Sequence, residues 1–138
     1  MGKRHTGRRL AMQTLYQLEV GKGASFNEAY ESAVSSGEST AEAQQFARSL
    51  AEGAWAHRDE LDKRIADHAK EWDLNRLPWV DRSILRLALY EIVFCPQTPR
   101  PVVIDEALEL AKRYGGGDSP KFINGILGAA IGASGTPS

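Results

Sequence analysis

Residues 81–94 read DRSILRLALYEIVF, and apolar side chains stand nearly all the way round a helix drawn through them. Ile84, Leu85, Leu87, Ala88, Leu89, Ile92 and Val93 leave no broad polar face. A helix of that kind belongs at the centre of a core, enclosed by other elements. No segment of the chain sustains the two-residue alternation of a half-buried strand, so the enclosing elements are expected to be helices as well.

The rest of the chain supplies them. Residues 8–20 place Ala11, Leu15 and Leu18 on one stripe and Arg9, Gln13 and Gln17 on another, with Gly21 and Gly23 as stops. Ser25 and Glu28 have capping-box spacing ahead of Phe26, Ala29, Tyr30, Ala33 and Val34. Ser35-Ser36-Gly37 breaks the chain. Ser39 and Glu42 then repeat the capping spacing before Ala43, Phe46, Ala47, Leu50, Ala51 and Ala54. Leu61, Ile65, Ala69 and Trp72 carry a fourth pattern, which Pro78 separates from residues 81–94. A proline-rich connector, residues 95–101, leads to residues 102–114, where Ile104, Ala107, Leu108 and Ala111 share a face. Gly115 follows in the place of a left-handed C-terminal cap.

A last helix opens at Ser119-Pro120. Serine can accept a bond from the free N–H groups of the first turn, and proline there wastes no donor. Ile123, Ile126, Leu127 and Ala130 are its core stripe. The expectation is an all-α fold of about seven helices in one compact bundle. The domain should cover residues 1–130, and residues 131–138 should form a flexible tail.

Composition narrows the class. At 138 residues the chain can bury one sizeable core. Hydrophobic residues make up 42% and charged residues 25%, which is ordinary for a globular protein. No apolar run approaches the roughly 18 residues of a membrane span, and the basic start leads into no apolar signal segment. The single cysteine, Cys95, fits a reducing, cytoplasmic setting.

Charge is unevenly placed. Lys3, Arg4, Arg8 and Arg9 give residues 1–18 a charge of +4 with no acid, so a net charge of −1 leaves −5 on the remaining 120 residues. A basic arm on an acidic body suits a local anion contact with the body free for another partner. The plain alternative for the arm is a solvated terminus.

Little here suggests catalysis. His5, His57 and His68 make no metal-ligand spacing with one another or with Cys95. The acids fall where solvent faces and helix N-termini would place them, so no catalytic carboxylate pair is assigned. GGGDSPK, residues 115–121, fails the phosphate-loop pattern: no glycine precedes Lys121, no Ser or Thr follows it, and a helix rather than a strand precedes it. No catalytic residue, metal or cofactor is expected.

Two features stay open on the residues alone. Phe122 beside Lys121 at a helix start can stack a base above a phosphate held on backbone N–H groups, or it can pack at the edge of the core. Arg82 and Arg86, four apart on an otherwise apolar helix, either face a partner or pair internally with acids.

Several blocks carry a family resemblance. They are Arg8-Arg9-Leu10-Ala11-Met12-Gln13-Thr14-Leu15-Tyr16-Gln17, Asp81-Arg82, Ile84-Leu85-Arg86-Leu87-Ala88, Tyr90-Glu91, Ile104-Asp105-Glu106-Ala107, Glu109-Leu110-Ala111-Lys112, Tyr114-Gly115, Ser119, Lys121-Phe122 and Asn124-Gly125. In this order, from about residue 4 to about residue 128, they resemble the NusB transcription antitermination factors. The chain departs from the family's pattern where His5-Thr6-Gly7 interrupts the basic run and where Gly115-Gly116-Gly117 loosens the turn.

The resemblance implies two helical sub-bundles and a binding function without chemistry. It implies a complex with the ribosomal protein NusE on the boxA sequence of nascent RNA. It also implies recruitment to RNA polymerase with NusA and NusG, and suppression of termination, notably in rRNA operons. Lys3, Arg4, Arg8, Arg9, Asp118, Ser119, Lys121 and Phe122 would contact RNA, and Tyr16, Asp81 and Arg82 would contact NusE. Two other readings come with it. One is a self-associating scaffold, since some members are homodimers. The other is a module like the N-terminal domain of an rRNA cytosine methyltransferase, whose catalytic half has no counterpart in these 138 residues.

Overall fold

A computed structural model describes residues 2–21, 23–69 and 77–133. Among them are seven helices and no strand: α1 (Lys3–Val20), α2 (Phe26–Ser35), α3 (Ala41–Ala56), α4 (Arg58–His68), α5 (Trp79–Phe94), α6 (Arg100–Tyr114) and α7 (Ser119–Ala133). Helix α1 packs on α2 and α3, while α5 packs on α4, α6 and α7. These are two sub-bundles, and α1 lying against α5 joins them over one continuous core. The apolar helix is central, as its sequence requires: Ile84, Leu85 and Leu89 are buried with Leu10 and Leu15 of α1, Leu61 and Ile65 of α4, and Ile123 and Ile126 of α7. Each such side chain contributes roughly 1.5–3 kcal/mol over leaving it in water.

Several local expectations are corrected. Helix α1 begins at Lys3, not near residue 8, so the basic residues are helical rather than a separate arm. Gly7 does not break it. It is buried against α3, where a Cβ would stand 2.5 Å from a ring carbon of Phe46 and 3.1 Å from the Ala43 carbonyl oxygen. The capping box at Ser25 forms: its hydroxyl accepts from the Glu28 N–H at 3.1 Å, and its own N–H donates to the Glu28 carboxylate at 2.8 Å. One residue's shift separates expectation from fact at α3. Thr40 caps it by accepting from the Ala43 N–H, and Ser39 takes a bond from the Gln44 side chain instead.

Gly115 is not left-handed, its φ being −92°. It is glycine because a Cβ there would stand within 2.6–2.7 Å of the Ser119 side chain. Trp72, expected in the fourth pattern, lies outside the described residues. So do residues 134–138 of the expected tail, while α7 runs on to Ala133.

Two buried arginines tie α1 to α5. Arg86 is 3% exposed. Its guanidinium makes two 2.7 Å bonds to Asp62 of α4 and a further ion pair with Glu19 of α1. The open question about Arg86 is thus answered by internal pairing. Arg8 makes the second tie, described below. No described helix is long and apolar enough to cross a membrane.

Candidate nucleic-acid interface

The basic residues at the start of α1 divide between surface and interior. Arg8, four residues short of Met12 on the inward face, is 4% exposed. Its Nε donates to Glu91 Oε1 at 2.9 Å and its Nη2 to Glu91 Oε2 at 2.5 Å. Glu106 stands 3.6 Å from its Nη1 and also meets His5 Nδ1 at 3.1 Å. Burial opposes the charge on Arg8, but Glu91 and then Glu106 outweigh it and hold the guanidinium above its ordinary range. Arg8 is therefore not open to a phosphate in this structure. Lys3, Arg4 and Arg9 are the outer members. Lys3 meets Glu42 at 2.5 Å with both side chains exposed. Arg4 lies over the Phe46 ring at 4.8 Å. Half-buried Arg9 donates to Gln13 at 3.3 Å.

The start of α7 is organised from behind. The Phe122 N–H donates to the Asp118 carbonyl at 3.2 Å, which sets the first turn. Ser119, the first residue of α7, is 3% exposed. It accepts the Gly116 N–H at 2.9 Å and faces the Asp81 carboxylate. Ser119 thus stands behind the surface that Asp118 and Lys121 expose. Phe122 is half-buried and packs against the core.

A groove of about 370 Å³ is lined by Met12, Gln13 and Tyr16 of α1, Ser32, Ala33 and Ser36 at the end of α2, Val80 of α5 and Tyr114 of α6. The three residues expected to meet a protein partner do not share one face. Tyr16 lines the groove. Asp81, 1% exposed, is interior. Burial pushes its carboxyl above the usual range, and the Ser119 hydroxyl only partly opposes that. Its Oδ1 is buried without a hydrogen-bond partner among the described residues. Arg82 stacks over the exposed ring of Trp79 at 4.1 Å and approaches Asp62 at 3.6 Å. Burial lowers its pKa, and Asp62 only partly restores it.

Sequence reasoning missed Glu91, Glu106, Asp62 and Glu19, the carboxylates that hold Arg8, His5 and Arg86. Glu91 was findable, since an acid inside an otherwise apolar helix needs a cation once buried. Phe46 falls on the core stripe of α3, yet Arg4 and Arg8 both lie over its ring.

The comparisons with known proteins agree with this architecture. The model of the NusB family matches residues 5–131. The transcription antitermination protein NusB of Myxococcus xanthus is 46% identical over 131 residues, covering 92% of this chain and 93% of that protein. A chain of the crystal structure of a plectonemic RNA supercoil superposes with a TM-score of 0.90 at 30% identity, covering 100% of both chains. A chain of the crystal structure of antitermination factors NusB and NusE in complex with dsRNA superposes with a TM-score of 0.85 at 28% identity, over 95% of this chain and 97% of that one. With a family match across nearly its whole length and the same seven-helix fold, this chain belongs to the NusB family of transcription antitermination proteins.

Proposed function

We propose that this chain binds boxA-type nascent RNA together with NusE and, with NusA and NusG, helps RNA polymerase read through terminators in rRNA operons of the cytoplasm. The observation that carries the reading is the first turn of α7. Exposed Lys121 stands there beside half-buried Phe122, at the positive end of a 15-residue helix. A phosphate is favoured at such an end, and an aromatic ring beside it can stack a base. Lys3, Arg4 and Arg9 add cations at the start of α1, and Arg8 serves them from inside by fixing that helix on Glu91. NusE, a basic ribosomal protein, meets the acidic body, and the groove around Tyr16 and Tyr114 gives it an aromatic-lined seat. The function is binding, not catalysis, as the antitermination role of the family requires.

The test is an RNA shift assay with boxA and scrambled RNA, with and without NusE. Preference for boxA that strengthens when NusE is present is the expected result. Equal binding of both RNAs under both conditions would overturn the reading.

A further inference from the structure

Asp81 is an expensive residue to keep where it is. A carboxylate that is 1% exposed loses its hydration, and it has no cation among its described partners. One of its oxygens has no hydrogen bond among the described residues. An apolar side chain of similar size would fill the same space without that cost, so packing does not explain it. The group that faces Asp81 is the hydroxyl of Ser119. A hydroxyl has one hydrogen to give and lone pairs to receive with. A Ser119 hydroxyl whose hydrogen turns toward Asp81 keeps a lone pair for the Gly116 N–H, 2.9 Å away. The turn is folded tightly onto this serine, for Gly115 has no room for even a Cβ beside it. The backbone from Gly115 to Asp118 then delivers Lys121 and Phe122 to the surface.

We propose that Asp81 is a positioning residue for the turn ahead of α7, holding Ser119 and through it the Gly116 N–H, so that Lys121 and Phe122 are presented in one fixed geometry. The proposal rests on the reading above that RNA meets the start of α7. It gives Asp81 an interior role that a direct partner contact would not need.

The experiment is an RNA titration of the full chain with NusE present, using a boxA oligonucleotide, beside melting curves of each variant. Asp81→Leu should weaken RNA binding about threefold to tenfold, the equivalent of one net hydrogen bond, with the melting temperature unchanged or raised. Asp81→Asn keeps an acceptor for Ser119 and should bind RNA like the wild type. Ser119→Ala should repeat the loss, and the double variant Asp81→Leu/Ser119→Ala should lose no more than either single one. If Asp81→Leu does not fold, Ser119→Ala carries the same test. Lys121→Ala separates the two ideas. If it weakens RNA binding while Ser119→Ala and Asp81→Leu do not, the positioning role is refuted and the RNA surface stands. If Lys121→Ala and Phe122→Ala both leave binding intact, the RNA surface is elsewhere and the positioning role falls with it. An affinity loss in Asp81→Asn equal to that of Asp81→Leu would also refute it.

Discussion

The starts of α1 and α7 bury opposite charges and finish them differently. Under α1 the buried group is a cation, Arg8, and its guanidinium lies in a bidentate pair with Glu91, backed by Glu106. Under α7 the buried group is an anion, Asp81, which faces one hydroxyl and keeps an oxygen unpaired among the described residues. The difference concerns what each start needs. A helix can be fixed as a rigid body by one completed ion pair across to its neighbour. A turn of glycines has no side chains to fix it, so its backbone N–H must be held directly. In both places a run of functional-looking residues in the sequence is a mixture of surface groups and the supports beneath them.

The largest test of this contrast is Arg8→Ala. It would leave the Glu91 carboxylate, 1% exposed, without its cation. Breaking one side of a buried pair costs about 3–5 kcal/mol of stability, measurable by chemical denaturation. Arg8→Met/Glu91→Leu should recover most of that loss, because apolar replacement of a whole buried pair is often neutral. A loss under about 1 kcal/mol for Arg8→Ala would place Arg8 among weak surface pairs and erase the contrast.

Phe122→Ala probes the other start and should act on two properties at once. Base stacking on an aromatic ring accounts for about 1–3 kcal/mol of RNA affinity. Because the ring is only half-buried, its removal should cost less folding stability than the roughly 3–5 kcal/mol of a fully buried phenylalanine. A melting curve and an RNA titration on one variant separate the two. A full core-sized loss of stability with RNA affinity retained would return Phe122 wholly to the core.

These residues also mark what the sequence could and could not say. The all-α fold, the central position of α5 and the stripes of α3 and α7 follow from periodicity, because burial acts on whole helix faces. The supports did not follow. Arg8 and Arg9 differ by about one hundred degrees of helix phase. Arg8, three residues before Ala11 and seven before Leu15, falls on the apolar stripe, but the stripe does not say what would neutralise it. Its partner, Glu91, lies 83 residues along the chain, beyond the reach of helix periodicity. Asp81 and Ser119 are likewise distant in sequence, and serine before proline reads as a cap whether its hydroxyl turns forward or back. Gly115 sits where a left-handed cap would, but lack of room for a Cβ is what requires glycine there.

A third, smaller effect concerns the unfinished charge at Asp81. Burial raises its folded-state pKa, so its contribution to stability is fully present below the unfolded value and is lost as pH rises through the folded one. At neutral pH the ionised group therefore weakens the fold relative to a neutral isostere. Asp81→Asn should be more stable than the wild type near pH 7, and the advantage should shrink toward about pH 4. Denaturation midpoints at the two pH values give the sign. An advantage independent of pH would mean that Asp81 carries no buried charge.

The smallest expected effect is a slope rather than an energy. Each cation that displaces a counterion from single-stranded RNA adds about −0.7 to the dependence of log affinity on log salt. Arg9 and Arg8 are adjacent in sequence and carry the same charge, yet only Arg9 is on the surface side of α1, loosely held by Gln13. Arg4→Ala/Arg9→Ala should flatten the slope by about 1.4, the sum of two contacts, and leave the melting temperature near that of the wild type. Arg8→Met/Glu91→Leu should leave the slope unchanged, because a guanidinium already neutralised by a carboxylate releases no counterion from RNA. Equal flattening by both pairs of changes would show that Arg8 leaves Glu91 when RNA arrives. The interior tie under α1 would then be part of the binding surface, and the two starts would no longer differ in kind.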